Sequence, residues 1–164
     1  MFKKLFKKQK KKNDIQVFAP LSGHVIPLEE VPDPVFSEKM MGEGIAVQPT
    51  DSTVVSPVDG EIVQVAPTKH AVGIRANDGS ELLIHVGLET VTLKGDGFDM
   101  VVKQGDKVKV GQPLLHFEFN TIKQKAKSMI TPIVITNSAD SGKHVELTTE
   151  TEAQAKETIL ITIS

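Results

Sequence analysis

The sequence contains no cysteine, tryptophan or tyrosine, and aromatic residues make up only 4% of its 164 residues. The lack of cysteine excludes disulfides, thiolate metal sites and cysteine nucleophiles. No apolar run reaches the roughly 18 residues that a membrane-spanning helix needs, so the sequence predicts no such helix. The N-terminus also lacks the apolar core of a secretory signal, and we therefore expect a cytoplasmic protein.

Positive charge is concentrated at the N-terminus. Residues 1–12 contain seven lysines and no acidic residue, whereas the other 152 residues carry 12 basic and 21 acidic side chains, a balance of −9. An acidic body of this kind repels nucleic acid, so we expect no nucleic-acid partner. We therefore divide the chain into a basic tail, residues 1–13, and a single domain, residues 14–164.

The basic tail also contains apolar residues at helical spacing. Phe2, Leu5 and Phe6 fall on one face of a helix, and lysines fill the rest. This amphipathic pattern is typical of a segment that binds an anionic membrane surface, which would place the protein at the inner face of the membrane. A solvated, disordered tail is the alternative interpretation.

Short runs rich in β-branched residues alternate with turn-forming pairs from Val17 onward. This pattern predicts an all-β protein, an antiparallel β-sandwich or flattened barrel. Two short helical turns are expected, at residues 35–41 and 122–127. Residues 19–25 resemble residues 56–62, since each segment places a small residue and a proline before a turn glycine and the start of a strand. The similarity favours internal duplication, although Pro-x-x-Gly turns also recur by chance.

Two histidines flank a predicted β-hairpin. His70 and His85 lie on either side of Asp78-Gly79, a dipeptide favoured in two-residue type I′ turns. With this dipeptide at the tip, Val72 faces His85 and His70 faces Gly87, so the two histidines share a face with Cβ atoms about 7 Å apart. Gly87 would then leave room for a ligand, whereas a three-residue loop would place the histidines on opposite faces. The residues predicted on the shared face are Thr68, His70, His85, Gly87 and Glu89.

Neighbouring imidazoles allow three interpretations. A neutral imidazole is a nucleophile toward phosphorus, and a second ring can donate an N–H to the phosphoryl oxygens. Two histidines with a carboxylate can also form half of a zinc site. The third interpretation is a pair of partly buried histidines bonded to backbone or threonine, without a function. His24, His116 and His144 are assigned no direct role.

Several motifs near these histidines extend along most of the chain. They are Ala-Pro-Leu-Ser-Gly at 19–23, Val-Pro-Asp-Pro-Val-Phe at 31–36, Thr-Lys-His-Ala at 68–71, His-Val-Gly-Leu-Glu-Thr-Val at 85–91 and Leu-Lys-Gly-Asp-Gly-Phe at 93–98. Together they resemble the glucose-class enzyme IIA phosphocarriers of the bacterial sugar phosphotransferase system. The resemblance covers residues 17–137 and implies a β-sandwich with a duplicated hybrid motif.

The resemblance implies a phosphotransferase component with defined site residues. His85 would be phosphorylated on Nε2, His70 would stabilise the transferred phosphoryl group, and Thr68 would orient a ring. The donor would be the histidine-containing phosphocarrier protein and the acceptor a cysteine of the IIB domain of a sugar permease. The transfer itself would require no nucleotide or metal.

The resemblance also implies an apolar docking face and a second kind of activity. Some members of the family regulate other proteins by docking, and a zinc ion can be shared between the paired histidines, here His70 and His85, and a partner's carboxylate. A regulatory or zinc-binding module is therefore the alternative function. Ile45 and Val47 fit the core as well as they fit the docking face. The candidates for that face are Val35, Phe36, Met40, Met41, Ile45, Val47 and Leu88.

Overall fold

A computed structural model describes residues 14–164. The predicted membrane-binding tail, residues 1–13, lies outside the described residues. Within this range, fourteen strands pair antiparallel in three sheets that do not close into a barrel. The predicted all-β fold is therefore confirmed. Among residues 14–164, no helix is both long enough and apolar enough to cross a membrane.

Most strands are short, as the close spacing of turn signals predicts. The strands are β1 Ile15–Phe18, β2 Gly23–Pro27, β3 Glu43–Pro49, β4 Thr53–Val55, β5 Gly60–Val65, β6 Ala71–Ala76, β7 Glu81–His85, β8 Phe98–Met100, β9 Lys107–Val108, β10 Pro113–Phe117, β11 Thr131–Ile135, β12 Val145–Leu147, β13 Glu152–Ala153 and β14 Ile159–Ile163. The helices are α1 Pro34–Ser37, α2 Phe119–Lys125 and α3 Ser138–Ser141, with 3₁₀ turns at Leu28–Glu30 and Thr90–Leu93.

The largest sheet has eight strands in the order β13-β2-β3-β11-β7-β6-β5-β9, and the smaller sheets have the orders β1-β14-β12 and β4-β10-β8. Aliphatic side chains from all three sheets form one large core. A smaller cluster packs beneath α1 on the other side of β3 and β11. It contains Leu28, Val31, Phe36, Ala46, Leu88 and Val134. Strand β7, which ends at His85, is thus covered on both faces.

The two similar segments of the sequence occupy related places in the fold. Phe18 N donates to Pro57 O at 2.9 Å, and Val55 N donates to Pro20 O at 2.8 Å, so the two proline turns bond to each other reciprocally. The turn glycine of each segment begins a strand, β2 or β5. At either glycine a Cβ would collide with a carbonyl oxygen of the neighbouring strand. This arrangement is in keeping with two related halves.

The short helices lie close to the predicted positions. Helix α1 begins at Pro34, where Asp33 caps it by accepting a hydrogen bond from Val35 N at 3.0 Å. Helix α2 spans residues 119–125, three residues earlier than predicted at its start. It ends before Ala126, whose backbone is extended. The prediction of short helical turns in a β protein is therefore confirmed, with shifted boundaries.

The central strand β7 should carry much of the stability of the domain. Ile84 is fully buried between β6 and β11. We expect Ile84→Ala to lower the free energy of unfolding by about 2–5 kcal/mol, because it removes buried methyl groups and leaves a cavity. Urea denaturation measures the change. Val101→Ala is the control, since Val101 is 48% exposed, and its effect should stay within about 0.5 kcal/mol. Equal effects of the two substitutions would contradict this account of the core.

Candidate active site

Strands β6 and β7, which connect the two histidines, pair one residue out of the predicted register. β6 and β7 align Ala71 with His85 and Val72 with Ile84. The loop between them has three residues, 77–79, because Ala76 N donates to Ser80 O at 2.8 Å. The prediction that Val72 faces His85 is therefore wrong. In this register, side-chain alternation alone would direct His70 to the face opposite His85.

The two imidazole rings are nevertheless adjacent. Their centroids lie 4.7 Å apart with planes inclined at 78°. His70 precedes β6, and the residue before it, Lys69, has a left-handed backbone with φ of +62°. The backbone of His70 still accepts a hydrogen bond from Val86 N at 2.8 Å, as a strand residue would. The expected proximity of the rings thus arises at the bend just before β6 and not from strand register.

A backbone carbonyl determines the tautomer of His85. The Nδ1 atom lies 2.8 Å from Gly87 O. Because a carbonyl only accepts, Nδ1 carries the hydrogen, and Nε2 of the neutral ring keeps its lone pair. Gly87 has φ of +74°, and a Cβ there would lie 2.7 Å from the methyl carbon of Thr90. Gly87 therefore permits the turn that carries this carbonyl, and the prediction that it faces His70 and leaves ligand space is wrong.

His70 is held by a side-chain hydroxyl. Thr68 Oγ1 lies 2.7 Å from His70 Nδ1, and the imidazole of His70 is nearly buried, with 7% of the residue exposed. A threonine hydroxyl can donate to this nitrogen, and the hydrogen of the neutral ring then resides on Nε2. The structure thus brings Thr68, His70 and His85 into one chain of contacts. The His85 ring has a lone pair on Nε2, and the adjacent His70 ring can present an N–H from its Nε2.

Burial keeps both rings neutral. Removal from water, and secondarily the neighbouring His85, lowers the pKa of His70 from 6.5 to about 4. Burial also lowers the pKa of His85, although its bond to Gly87 and the negative charge of Asp33 oppose this shift. Near pH 7 both imidazoles are therefore uncharged. A neutral imidazole is the form that can act as a nucleophile.

Helix α1 supplies a wall of the site that the sequence reasoning missed. The Phe36 ring packs edge-on against His85 with centroids 5.2 Å apart. Asp33 caps the same helix and is the carboxylate whose charge acts on His85. The Asp-Pro pair at 33–34 is a recognisable helix start, since Asp is favoured at the N-cap and Pro at the first helical position. Nothing in that local signal, however, links the helix to β7.

Only part of the predicted docking face is exposed. Val35 is 39% exposed and Met40 69% exposed, and Met41 is half-buried. The prediction is wrong for Phe36 and Leu88, which are buried in the smaller cluster. For Ile45 and Val47 the alternative placement in the core is confirmed, because the sheet is covered on both faces at β3 and β11. Val91, 51% exposed, is an apolar surface residue that the sequence reasoning did not single out.

Contrary to the prediction, Glu89 does not share a strand face with the histidines. β7 ends at His85, and Glu89 has a left-handed backbone that precedes the 3₁₀ turn Thr90–Leu93. Its carboxylate lies 3.9 Å from the Lys127 ammonium. The early end of the strand places this side chain on a turn, so the shared face proposed from alternation is wrong for Glu89.

The histidine pair could supply part of a metal site. Across residues 14–164, no group of three or more His, Cys, Asp or Glu side chains is placed to hold a metal ion. His70 and His85 provide two imidazoles, whereas a zinc ion normally takes four ligands. A zinc ion at this pair would therefore need ligands from outside the described chain. His24, His116 and His144 are exposed and lie elsewhere; His24 pairs with Glu152 and His116 with Thr53.

Comparison with known families relates this chain to a sugar phosphotransferase system. The model of the family described as phosphoenolpyruvate-dependent sugar phosphotransferase system, EIIA 1, matches residues 15–141. The chain belongs to this EIIA family. The match includes every residue of the site described above, from Asp33 to Glu89.

Individual EIIA proteins are similar along nearly the whole chain. The glucose-specific EIIA component of Halalkalibacterium halodurans is 53% identical over 170 residues, covering 99% of this chain and 98% of that protein. The corresponding protein of Bacillus cereus is 55% identical over 148 residues, covering 90% and 89%. The solved structure of glucose permease IIA from Mycoplasma capricolum has a TM-score of 0.85 and 37% identity, covering 91% of this chain and 95% of that one. The EIIA β-sandwich is thus the fold of this chain.

The lowered pKa of His70 predicts an acid-sensitive contribution to stability. Because the folded pKa is about 4 and the ordinary value 6.5, the unfolded chain binds more protons between these values. This contribution is present above pH 6.5 and is lost as the pH falls toward 4, by about 2–3 kcal/mol. Urea denaturation between pH 7 and 4 measures it by comparison with His70→Gln, which removes the titrating group. A stability difference between the two proteins that stays constant with pH would contradict a neutral, buried His70.

Proposed function

We propose that this EIIA protein is a phosphoryl carrier that uses Nε2 of His85. The donor is the histidine-containing phosphocarrier protein, and the acceptor is a cysteine in the IIB domain of a sugar permease. The observation that carries the proposal is the bond from His85 Nδ1 to Gly87 O, which leaves a lone pair on Nε2 of a neutral ring. Relatives with 53% and 55% identity are named glucose-specific, so we propose a glucose permease as the acceptor.

The proposed first step exchanges one phosphorus–nitrogen bond for another. The Nε2 lone pair of His85 attacks phosphorus while the bond to the donor nitrogen breaks, and the donor ring keeps that electron pair. The His85 ring gains positive charge, which its Nδ1–H shares with the carbonyl of Gly87 2.8 Å away. In the second step the cysteine thiolate attacks phosphorus, and the electron pair of the breaking bond returns to Nε2 of His85.

His70 is proposed to steady the phosphoryl oxygens. The ring is already 4.7 Å from His85, centroid to centroid, so little movement is needed for its Nε2–H to reach an oxygen bound to phosphorus. Thr68, 2.7 Å from Nδ1 of His70, is proposed to hold this tautomer by donating its hydroxyl hydrogen. Preorganised donors of this kind stabilise the charge of the transferring group without costly rearrangement.

The exposed apolar residues beside the site fit a protein-docking surface. Val35 and Met40 flank Phe36, which contacts His85, and both are exposed. We propose that donor and acceptor dock here in turn. Regulatory docking of other proteins, and a zinc ion shared by His70, His85 and a partner's carboxylate, would use the same place and are proposed as secondary activities. We propose a cytoplasmic location for the carrier.

The phosphorylated residue can be identified directly. The protein is incubated with phosphoenolpyruvate, enzyme I and the histidine-containing phosphocarrier protein, and acid-labile, alkali-stable phosphate is measured. We expect His85→Ala to abolish labelling because it removes the nucleophile.

His70→Ala should still be labelled but should pass phosphate to IIB at least about 100-fold more slowly, as expected for loss of a transition-state donor. His116→Ala is the matched control and should behave like the unaltered protein. Labelling that survives in His85→Ala would refute the assignment.

The basic tail is proposed to hold the carrier near its membrane-bound acceptor. Residues 1–12 combine seven lysines with Phe2, Leu5 and Phe6, a composition suited to anionic lipid. We expect the full chain to co-sediment with vesicles that contain anionic lipid and a chain lacking residues 1–12 to remain in the supernatant. Vesicles of neutral lipid are the control. Equal sedimentation of both chains with anionic vesicles would rule out this role of the tail.

A further inference from the structure

The residue between Thr68 and His70, which are joined by a hydrogen bond, has an unusual backbone. Lys69 lies between Thr68 and His70 and has φ of +62°, in the left-handed region. This region is disfavoured for residues that carry a Cβ, because the side chain then crowds the backbone. A lysine held there signals that the surrounding loop requires this conformation.

The hydrogen bonds of Ala66 show how the loop between β5 and β6 is built. Lys69 N donates to Ala66 O at 2.8 Å, which closes a turn with Pro67 and Thr68 at its centre. Ala66 N donates to Ala71 O at 3.0 Å. Lys69 and His70 are therefore the last two residues of the four-residue loop 67–70 that joins β5 to β6. Hairpin loops of this length are commonly built around such a tight turn, and a left-handed residue in them is best suited to glycine.

The left-handed backbone of Lys69 determines where Thr68 lies relative to His70. The contact between Thr68 Oγ1 and His70 Nδ1, 2.7 Å long, spans Lys69. The His70 ring itself lies 4.7 Å from that of His85, and only 7% of the residue is exposed. A single backbone angle thus affects the hydrogen-bond partner of the ring that faces His85.

We propose that Lys69 is a positioning residue whose left-handed backbone holds Thr68 against His70. The role belongs to the backbone and not to the ammonium group. The Lys69 side chain is exposed, and its stem extends toward the loop that contains Gly95. A Cβ added to Gly95 would lie 3.8 Å from Lys69 Cδ. The catalytic consequence rests on the proposed function, whereas the geometric consequence does not.

Three substitutions separate the backbone from the charge. Lys69→Val disfavours the left-handed region, because a β-branched side chain tolerates it poorly. Lys69→Asn removes the charge but tolerates this region, and Lys69→Met removes the charge from an unbranched stem of similar shape. Lys156→Val is the matched control, because Lys156 also has a left-handed backbone, with φ of +59°, but lies in the turn before β14.

Two measurements are made on each full-length variant. The first is the pKa of His70, obtained by NMR titration of its ring, which requires no phosphoryl transfer. The second is the rate at which phosphorylated protein delivers phosphate to IIB. We expect Lys69→Val to raise the pKa of His70 from about 4 toward 6.5, because a rearranged loop withdraws Thr68 from the ring and admits water to it. Delivery should slow about 5- to 30-fold, the ratio that corresponds to a loss of 1–2 kcal/mol. Lys69→Asn, Lys69→Met and Lys156→Val should match the unaltered protein in both measurements.

Each contrary result has a definite meaning. An unchanged pKa of His70 in Lys69→Val would overturn the proposal, as would an equal change in Lys156→Val. Slow delivery in Lys69→Met and Lys69→Asn, with the pKa of His70 unchanged, would assign the role to the ammonium group and also overturn it. If the unaltered protein cannot be phosphorylated, the proposed function fails, and the titration of His70 still decides whether Lys69 holds Thr68 against the ring.

Discussion

The hydrogen bond between His85 Nδ1 and the carbonyl of Gly87 is the interaction on which the site depends. It keeps the ring hydrogen on one nitrogen and the lone pair on the other, so the backbone determines which nitrogen can form a new bond. The carbonyl is in place because the chain turns immediately after β7 at a residue with positive φ. Thr90 packs where a side chain at that residue would lie, and its hydroxyl donates to Val86 O at 2.7 Å. The turn after the strand is therefore as much a part of the site as the ring.

The surroundings of His85 balance burial against access. Phe36 and His70 both contact the ring, and the loss of water lowers its pKa. The negative charge of Asp33 acts in the opposite sense, because it favours a protonated ring. A carboxylate near a phosphoryl group would also repel it, which suits a carrier that must release its cargo. The same helix, α1, brings the apolar wall, the acidic group and the exposed Val35 to one edge of the strand.

The register of the hairpin shows why local sequence signals were insufficient. The Asp78-Gly79 pair favours a two-residue turn, but the observed loop has three residues, and residues far along the chain hold it. Asn137 accepts from Glu81 N at 3.0 Å and donates to Gly79 O at 3.0 Å, and the Lys143 ammonium lies 3.1 Å from the Asp78 carboxylate. These contacts span 56 to 65 positions of sequence, so turn preference could not include them. The prediction still brought the histidines together, although for the wrong reason.

The amino-acid sequence by itself determined the all-β class, the positions of most strands and the two short helical turns, because these follow from patterns within a few consecutive residues. Its motifs also made Thr68, His70 and His85 the candidates for the site. The tertiary structure decided which apolar residues are buried. Leu88 looks like a surface candidate in the sequence, and Ile45 and Val47 fit either place, but all three are buried. The tertiary structure also brought Phe36 to His85 across 49 positions of chain and ended regular pairing before Lys69. Such features depend on which surfaces pack together, and packing is a property of the whole folded chain.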